Sequence, residues 1–318
     1  MNKVVGIMLI AAICSFATLA YIEASKRTED KLTVATTTSL YDTGLLNVIA
    51  DRYQAKYDTN LYFIPLGSGQ SLEHAKRGDA DAVLVHAPSL ENRFLQENAG
   101  GARKVIAYNF FAIVGPGDDP ANIENLSPLK ALQRIAQVKA TWVSRGDSSG
   151  THTKEKNLWQ EAGFDPIQLG DESWYLESGS GMVRTLDIAN EQRAYTLADM
   201  GTYLKYHRNN PVDLEVLVGQ GKELLNVYSV MAVNPSAHPY LNFDGAVRFI
   251  KFLISIEGQG LIDEFGRSEF GRPLFYPAVE LLRENTDPQL AGWIREYAFF
   301  ENSECPPRYR LEHEELYP

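Results

Sequence analysis

Short apolar runs alternate with segments of helical period along most of the chain. Residues 31–35 predict a strand, and one face of the helix that follows carries the apolar residues Leu45, Leu46, Ile49, Tyr53 and Tyr57. Residues 60–65 and 82–85 predict two further strands, with a short helix over 68–77 between them. This alternation predicts a parallel sheet, because a crossover helix returns each strand in the same direction.

The alternation resumes beyond an apolar strand predicted over residues 108–114, which ends at the turn-rich segment 115–120. Further helices are predicted over about 128–138, up to 163 and over 181–190, and further strands over 140–144, 174–176, 194–197 and 228–233. If the Tyr-containing strands 108–114 and 228–233 cross between two lobes, residues 117–227 form one lobe, and residues 31–116 and 228–300 form the other. The pattern therefore predicts a two-lobed α/β fold with mostly parallel sheets and a two-strand hinge.

The two ends of the chain depart from this pattern. Lys3 precedes an apolar stretch over residues 4–22, which is typical of a secretory signal. Residues 1–24 are thus predicted to be a cleaved signal or a retained membrane anchor, and either one places the protein in the periplasm or elsewhere outside the cytoplasm. Residues 301–318 are polar and acidic and contain Pro306 and Pro307, which predicts a tail that is poorly ordered or lightly docked.

Composition and charge restrict the partners. The chain has 318 residues, of which 44% are hydrophobic, enough to bury a sizeable core. Its net charge of −11 argues against nucleic acids and anionic membrane surfaces as partners. A bound anion must therefore be attracted locally, by backbone N–H groups and a few cations. Cys305 is the only cysteine beyond residues 1–24, so no intramolecular disulfide is expected, and no His, Cys and Asp cluster has the spacing of a metal site.

Three predicted strand-to-helix junctions contain more hydroxyl and glycine residues than a single helix cap requires. They lie at residues 36–39 (TTTS), 67–71 (GSGQS) and 144–151 (SRGDSSGT). The C-terminal ends of parallel strands share one edge of a sheet, so the three junctions can converge. Free N–H groups at a helix start attract an anion and hydroxyls add further donors. Arg145 adds a positive charge, which Asp147 can hold in place.

Two alternatives remain open at this point. Residues 146–150 also spell the GxSxG pattern of a serine hydrolase, with Ser148 as the nucleophile. That interpretation lacks partners, because the best-placed histidines, His207 and His238, both have the sequence context of surface residues. Among binding proteins, phosphate is the main rival ligand, since Asp147 could accept the proton of monohydrogen phosphate.

The three junctions, together with DTGLL at 42–46, GDAD at 78–81 and LFYP at 274–277, resemble in order the tungstate-binding proteins (TupA-like) of bacterial tungstate ABC importers. The resemblance implies a type II periplasmic solute-binding fold, capture of tungstate or molybdate, and delivery to a membrane permease and its ATPase. It also implies a monomeric binding protein without a cofactor or enzymatic activity. The candidate oxyanion-binding residues are Thr36, Thr37, Ser39, Ser68, Arg145, Ser149 and Thr151.

Overall fold

The structure is a computed structural model that describes residues 30–147, 149–210 and 212–317. The predicted signal or anchor in residues 1–24 lies outside the described residues, and so does Ser148. Among the helices that the structure describes, none combines the length and the apolar composition needed to cross a membrane.

The elements of the described residues follow the chain in this order. The strands are β1 (Asp30–Thr37), β2 (Thr59–Leu66), β3 (Ala82–Val85), β4 (Gly100–Pro116), β5 (Trp142–Ser144), β6 (Tyr175–Glu177), β7 (Thr196–Asp199), β8 (Leu214–Val218), β9 (Leu225–Val233) and β10 (Tyr276–Pro277). The α-helices are α1 (Thr38–Thr43), α2 (Leu45–Tyr57), α3 (Ser68–Lys76), α4 (Pro88–Gln96), α5 (Pro128–Val138), α6 (Gly150–Glu161), α7 (Pro166–Leu169), α8 (Met182–Glu191), α9 (Met200–Asn209), α10 (Phe243–Ile254), α11 (Ile256–Glu264), α12 (Arg267–Phe270), α13 (Val279–Glu284) and α14 (Pro288–Ala298). Short 3-10 helices cover Lys222–Leu224, Pro307–Tyr309 and Glu314–Leu316.

The first lobe is built on a mixed sheet with the strand order β10, β4, β9, β3, β1, β2. β1 is parallel to β2 and to β3, as the crossover rhythm predicts. β9 is antiparallel to both β3 and β4, and β10 is antiparallel to β4. This sheet is therefore less parallel than expected. The reason is that β4 and β9 connect the lobes in opposite directions, one leaving the first lobe and the other returning to it.

β4 joins the first lobe to the second. Up to Phe110 it pairs with β9, whose first residue, Leu225, lies opposite Phe110. From Phe111 onward it pairs with β7 and β8, the strands of the second lobe, in antiparallel fashion. β5 and β6 form a separate parallel pair in that lobe. The chain thus changes sheets between Phe110 and Phe111, while the lobe boundaries at 116/117 and 227/228 remain a prediction.

Each lobe has its own hydrophobic core. In the first lobe, Tyr53 of α2 packs against Phe249 and Phe252 of α10, with ring centroids 5.4 and 5.3 Å apart. In the second lobe, Trp159 of α6 meets the ring of Trp142 edge-on at 5.2 Å. Each lobe thus has hydrophobic clusters of its own, and two strands join the lobes, which is the architecture of a hinged binding protein.

Residues 301–317 are docked along β4, which corrects the prediction of a poorly ordered or lightly docked tail. Leu316 is buried, and Lys104 Nζ donates to Glu304 Oε2 at 2.6 Å and to Leu316 O at 3.0 Å. The hydroxyl of Tyr317 donates to the main-chain oxygen of Arg103 at 2.9 Å. The polar composition is misleading here, because an acidic side chain of the tail pairs with a basic side chain of β4 and a few spaced apolar side chains suffice to anchor the segment.

Candidate functional site

A buried carboxylate fixes the loop between β5 and α6. Glu155 Oε1 accepts hydrogen bonds from Trp142 Nε1 at 2.8 Å and from the hydroxyl of Tyr175 at 2.7 Å, and Glu155 Oε2 accepts one from Ser144 Oγ at 3.0 Å. These bonds tie α6 to β5 and β6. The loop that follows Ser144 is therefore held at both of its ends.

Arg145 is the cation of this loop and is only 4% exposed. Its Nη2 donates to Asp147 Oδ2 at 2.5 Å, whereas its buried Nε has no hydrogen-bond partner in the part of the chain that the structure describes. Ser149 donates to Asp147 through both N and Oγ, and Ser149 Oγ accepts from His152 N at 3.1 Å, which caps α6. The hydroxyl hydrogen of Ser149 is thus used inside the loop, and the Nε hydrogen of Arg145 remains available.

Two predicted hydroxyls are buried without a partner among residues 30–147, 149–210 and 212–317. Ser68 is the first residue of α3 and Thr151 is the second residue of α6, and each is 1% exposed. Ser68 Oγ and Thr151 Oγ1 form no hydrogen bond there. Buried polar atoms are nearly always paired, so this pair indicates the place of a ligand or of bound water.

The β1–α1 junction uses part of its hydroxyl groups internally. Thr36 Oγ1 donates to Leu84 O at 2.9 Å, a contact within the sheet that weighs against its predicted role at the site. Thr37 Oγ1 accepts from Leu40 N at 3.2 Å, which caps α1, and lies 3.3 Å from Ser39 Oγ. Ser39 Oγ also lies 3.4 Å from His86 Nε2, so Ser39 has an acceptor within the protein and the hydroxyl of Thr37 is the one that can turn toward a ligand.

Gly150 is where the two lobes meet. A β-carbon on Gly150 would lie 2.9 Å from Ser68 Oγ and 3.1 Å from Cε1 of His86, so the start of α6 faces the start of α3 and the end of β3. Burial lowers the pKa of His86, Asp199 and Asn226 oppose that shift, and the positive charge of Arg145 adds a smaller lowering. The junctions of α3 and α6 therefore converge, and their unpaired donors lie in one region.

The comparisons with known proteins agree with this arrangement. Residues 22–257 match the family model described as a PBP superfamily domain. The chain is 38% identical over 247 residues to the tungstate-binding protein TupA of Peptoclostridium acidaminophilum, an alignment that covers 77% of this chain and 84% of that protein. This chain belongs to the TupA-like family of the PBP superfamily. That family consists of solute-binding proteins and not of enzymes.

Solved structures of TupA-like proteins share the fold. The tungstate-binding protein TupA from Desulfovibrio alaskensis G20 is 39% identical and superposes with a TM-score of 0.70, covering 78% of this chain and 98% of its own. The tungstate ABC transporter protein from Geobacter sulfurreducens is 42% identical, with a TM-score of 0.67 and coverage of 74% and 99%. The expected type II periplasmic-binding-protein fold is thereby confirmed.

His86 is a residue of this TupA-like site that the sequence analysis missed. Its Nε2 lies 3.4 Å from Ser39 Oγ, and its Nδ1 lies 2.8 Å from Asn226 Oδ1, which can only accept a hydrogen bond. Nδ1 therefore carries the hydrogen, and burial, the largest influence on the pKa of His86, keeps the ring neutral. The available signal was its position, because His86 directly follows β3 at the sheet edge that carries the junctions after β1 and β2.

Behind His86, a buried network spans the two connecting strands. Asp199 Oδ2 accepts hydrogen bonds from Asn226 Nδ2 at 3.1 Å, from Asn109 Nδ2 at 3.2 Å and from the hydroxyl of Tyr228 at 3.0 Å. Asn109 lies on β4, Asn226 and Tyr228 lie on β9, and Asp199 caps α9 in the second lobe. The site is thus connected through His86 to the hinge of this TupA-like protein.

His207 and His238, the two histidines considered for the hydrolase alternative, contact other parts of the chain. His238 Nε2 donates to Lys76 O at 3.0 Å, at the opposite end of α3 from Ser68, the residue that faces the start of α6. His207 packs against the ring of Tyr203 at 5.5 Å, in the last turn of α9. Among the described residues, no group of three His, Cys, Asp or Glu side chains is placed to hold a metal ion.

Proposed function

We propose that this protein captures tungstate, or the similar molybdate, outside the cytoplasm and delivers it to the permease and ATPase of an ABC importer. One observation carries the proposal. Arg145 Nε, Ser68 Oγ and Thr151 Oγ1 are buried, lack partners among the described residues, and belong to the two junctions that meet at Gly150. Unpaired buried donors are costly, and an oxyanion bound between the lobes would satisfy all three.

The chemistry of these groups suits a fully deprotonated dianion. Tungstate and molybdate, fully deprotonated at neutral pH, offer only acceptor oxygens, and the available groups of Arg145, Ser68 and Thr151 can all donate. Phosphate differs, because its monohydrogen form also requires an acceptor. Both carboxylate oxygens of Asp147 already accept hydrogen bonds from Arg145 or Ser149, which argues against that role. Tungstate or molybdate is therefore favoured over phosphate.

Cellular context completes the proposal. The apolar residues 4–22 would direct export, either as part of a cleaved signal or as a retained anchor. The relatives named above are a tungstate-binding protein and a tungstate ABC transporter protein, which supports a permease and its ATPase as partners. A monomer that closes around its ligand fits this role, and it needs no cofactor.

Titration calorimetry of the purified protein with tungstate, molybdate, phosphate and sulfate tests the proposal. Arg145→Ala should weaken tungstate binding by about 2 kcal/mol or more, roughly 30-fold, because the cation next to the unpaired hydroxyls is lost. The matched control is Arg184→Ala, an arginine on α8 with a side chain 57% exposed, which should bind as the unmodified protein does. Equal affinity in the Arg145 variant, or binding of phosphate alone, would reject the assignment.

A further inference from the structure

Four basic side chains are buried in the described part of the chain, and one of them lacks a carboxylate partner. Arg103 pairs with Glu91 at 2.7 Å, Lys104 with Glu304 at 2.6 Å, and Arg145 with Asp147. The fourth, Lys154, is 7% exposed and has no carboxylate oxygen of a described residue within 4.0 Å. Glu161 and Glu223 offset the burial of this charge only in part, and a buried charge without a direct partner is costly, so its retention calls for a physical reason.

Lys154 lies on the face of α6 that meets the first lobe. It follows Gly150 by four residues and therefore shares its side of the helix. The Nζ atom stands over the ring of Tyr297 from α14, 4.2 Å from the ring centroid, so the cation–π contact crosses from one lobe to the other. Both side chains line a cavity of about 100 Å³ whose wall also includes His86 and Gly150. The amine thus lies on the lobe interface, in a cavity that shares Gly150 and His86 with the candidate site.

The charges around these donors show what Lys154 can contribute. Arg145 and Asp147 form an ion pair, so their formal charges cancel, whereas tungstate brings two negative charges. Charges interact strongly where little water separates them. After Arg145, the next buried cation along the chain is Lys154, which lies on α6. A dianion at the start of α6 would add to the partial counter-charge that Glu161 and Glu223 give Lys154, and Lys154 would supply positive charge that the ion pair cannot.

We propose that Lys154 is a positioning residue for oxyanion binding, which balances the charge of the bound dianion and holds α6 against Tyr297 in the closed arrangement of the lobes. The inference rests on the proposed function and adds to it a residue that stabilises the ligand without touching it. Lys154 stabilises the bound state, in which the dianion is present, and slightly destabilises the ligand-free state, in which its charge is only partly balanced.

Calorimetry with tungstate and thermal melting without ligand, applied to three variants, test this role. Lys154→Met keeps the volume and removes the charge, so tungstate affinity should fall by about tenfold or more while the ligand-free Tm stays equal or rises. Lys154→Arg keeps the charge and should recover most of the affinity. Lys156→Met, an exposed lysine on the same helix, is the control and should change neither quantity.

The pH profile supplies a readout that a packing role would not move. Burial lowers the pKa of Lys154 to about 8, while Glu161 of α6 and Glu223 of the 3-10 helix oppose that shift, and Tyr297 and His86 face the same cavity. Tungstate affinity should therefore decrease as the pH rises above 8, since binding must then protonate the amine. The same decrease should be absent from Lys154→Met.

Each result decides one question. Unchanged tungstate affinity in Lys154→Met overturns this inference and leaves the proposed function intact. A parallel loss of ligand-free stability and affinity, without recovery in Lys154→Arg, also overturns it, because that result describes simple packing. If the unmodified protein binds neither tungstate nor molybdate in the same titration, the proposed function itself fails.

Discussion

The size of a single residue determines how closely the lobes can approach. A methyl group on Gly150 would come within 2.9 Å of Ser68 Oγ and 3.1 Å of the His86 ring, and neither neighbour can move far because both are buried. Gly150→Ala should therefore keep the lobes apart and weaken tungstate binding by about tenfold or more. Calorimetry measures this loss, and thermal melting without ligand should show little change, since alanine is a good helix former.

Gly292 provides the matched control for that prediction. It lies within α14, and a β-carbon there would meet no atom within 4 Å. Gly292→Ala should leave tungstate affinity unchanged and raise stability slightly, because alanine loses less conformational freedom in a helix than glycine. Equal tungstate affinity in the two glycine variants would contradict the close approach of the lobes at Gly150.

At the level of single residues, the sequence predicts which junctions are rich in donors but not where each hydrogen points. Ser68 and Thr151 have free hydroxyls as expected, whereas those of Thr36 and Ser149 are engaged in the sheet and in the loop. All four residues are Ser or Thr, so the residue type alone does not tell the free hydroxyls from the engaged ones. Whether a hydroxyl is free or engaged depends on whether a main-chain or carboxylate acceptor lies nearby in the folded chain. His86 was missed for another reason, because an isolated histidine has no distinctive spacing.

Among the elements, β4 is longer than its apolar pattern predicts. The sequence predicts residues 108–114, yet the strand covers Gly100–Pro116. Arg103 and Lys104 interrupt the apolar pattern, but both are buried because Glu91 and Glu304 neutralise them. Such pairing over long sequence distances cannot be deduced from local periodicity. The parallel strands β1 to β3 follow local rules and were therefore predicted well.

The buried ion pair between Arg103 of β4 and Glu91 of α4 leads to a stability prediction. Glu91 and Arg103 are both fully buried, and Glu91 accepts hydrogen bonds from Arg103 at 2.7 Å and from Ala87 N at 2.8 Å. Glu91→Gln leaves the guanidinium buried without a counter-charge and should lower the free energy of unfolding by about 3 kcal/mol or more. Urea denaturation measures this decrease in the free energy of unfolding. Glu97→Gln, which removes an exposed pair with Lys76, should cost less than about 1 kcal/mol, and similar losses in both variants would contradict the argument.

For the molecule as a whole, the two-lobed fold follows from the order of the elements and the family resemblance, whereas the coupling between the lobes does not. Lys205 of α9 donates to the main-chain oxygens of Asp42 and Thr43 at the end of α1, at 3.1 and 2.9 Å. Lys154 contacts Tyr297 across the same interface. These contacts join residues far apart in the chain, and each uses a lysine that the sequence alone does not distinguish from surface lysines.

Asp199 is the group that connects the second lobe to both strands of the hinge. Asp199→Asn keeps the shape of the side chain but replaces one oxygen with an amide nitrogen, and no orientation of that amide can accept from Asn109, Asn226 and Tyr228 and also from Thr202 N. We expect a loss of about 2 kcal/mol in the free energy of unfolding, measured by urea denaturation.

Tungstate affinity should fall as well in Asp199→Asn, because Asn226 then relies more on Asn109 Oδ1 and the hydroxyl of Tyr228 to fix its amide and therefore holds His86 less firmly. Asp187→Asn is the control, since Asp187 accepts a single hydrogen bond from Tyr206 at 2.7 Å on a partly exposed surface of the second lobe. It should leave affinity unchanged. If Asp199→Asn lowers stability but binds tungstate as before, the network stabilises the hinge without positioning the site, and the link through His86 must be abandoned.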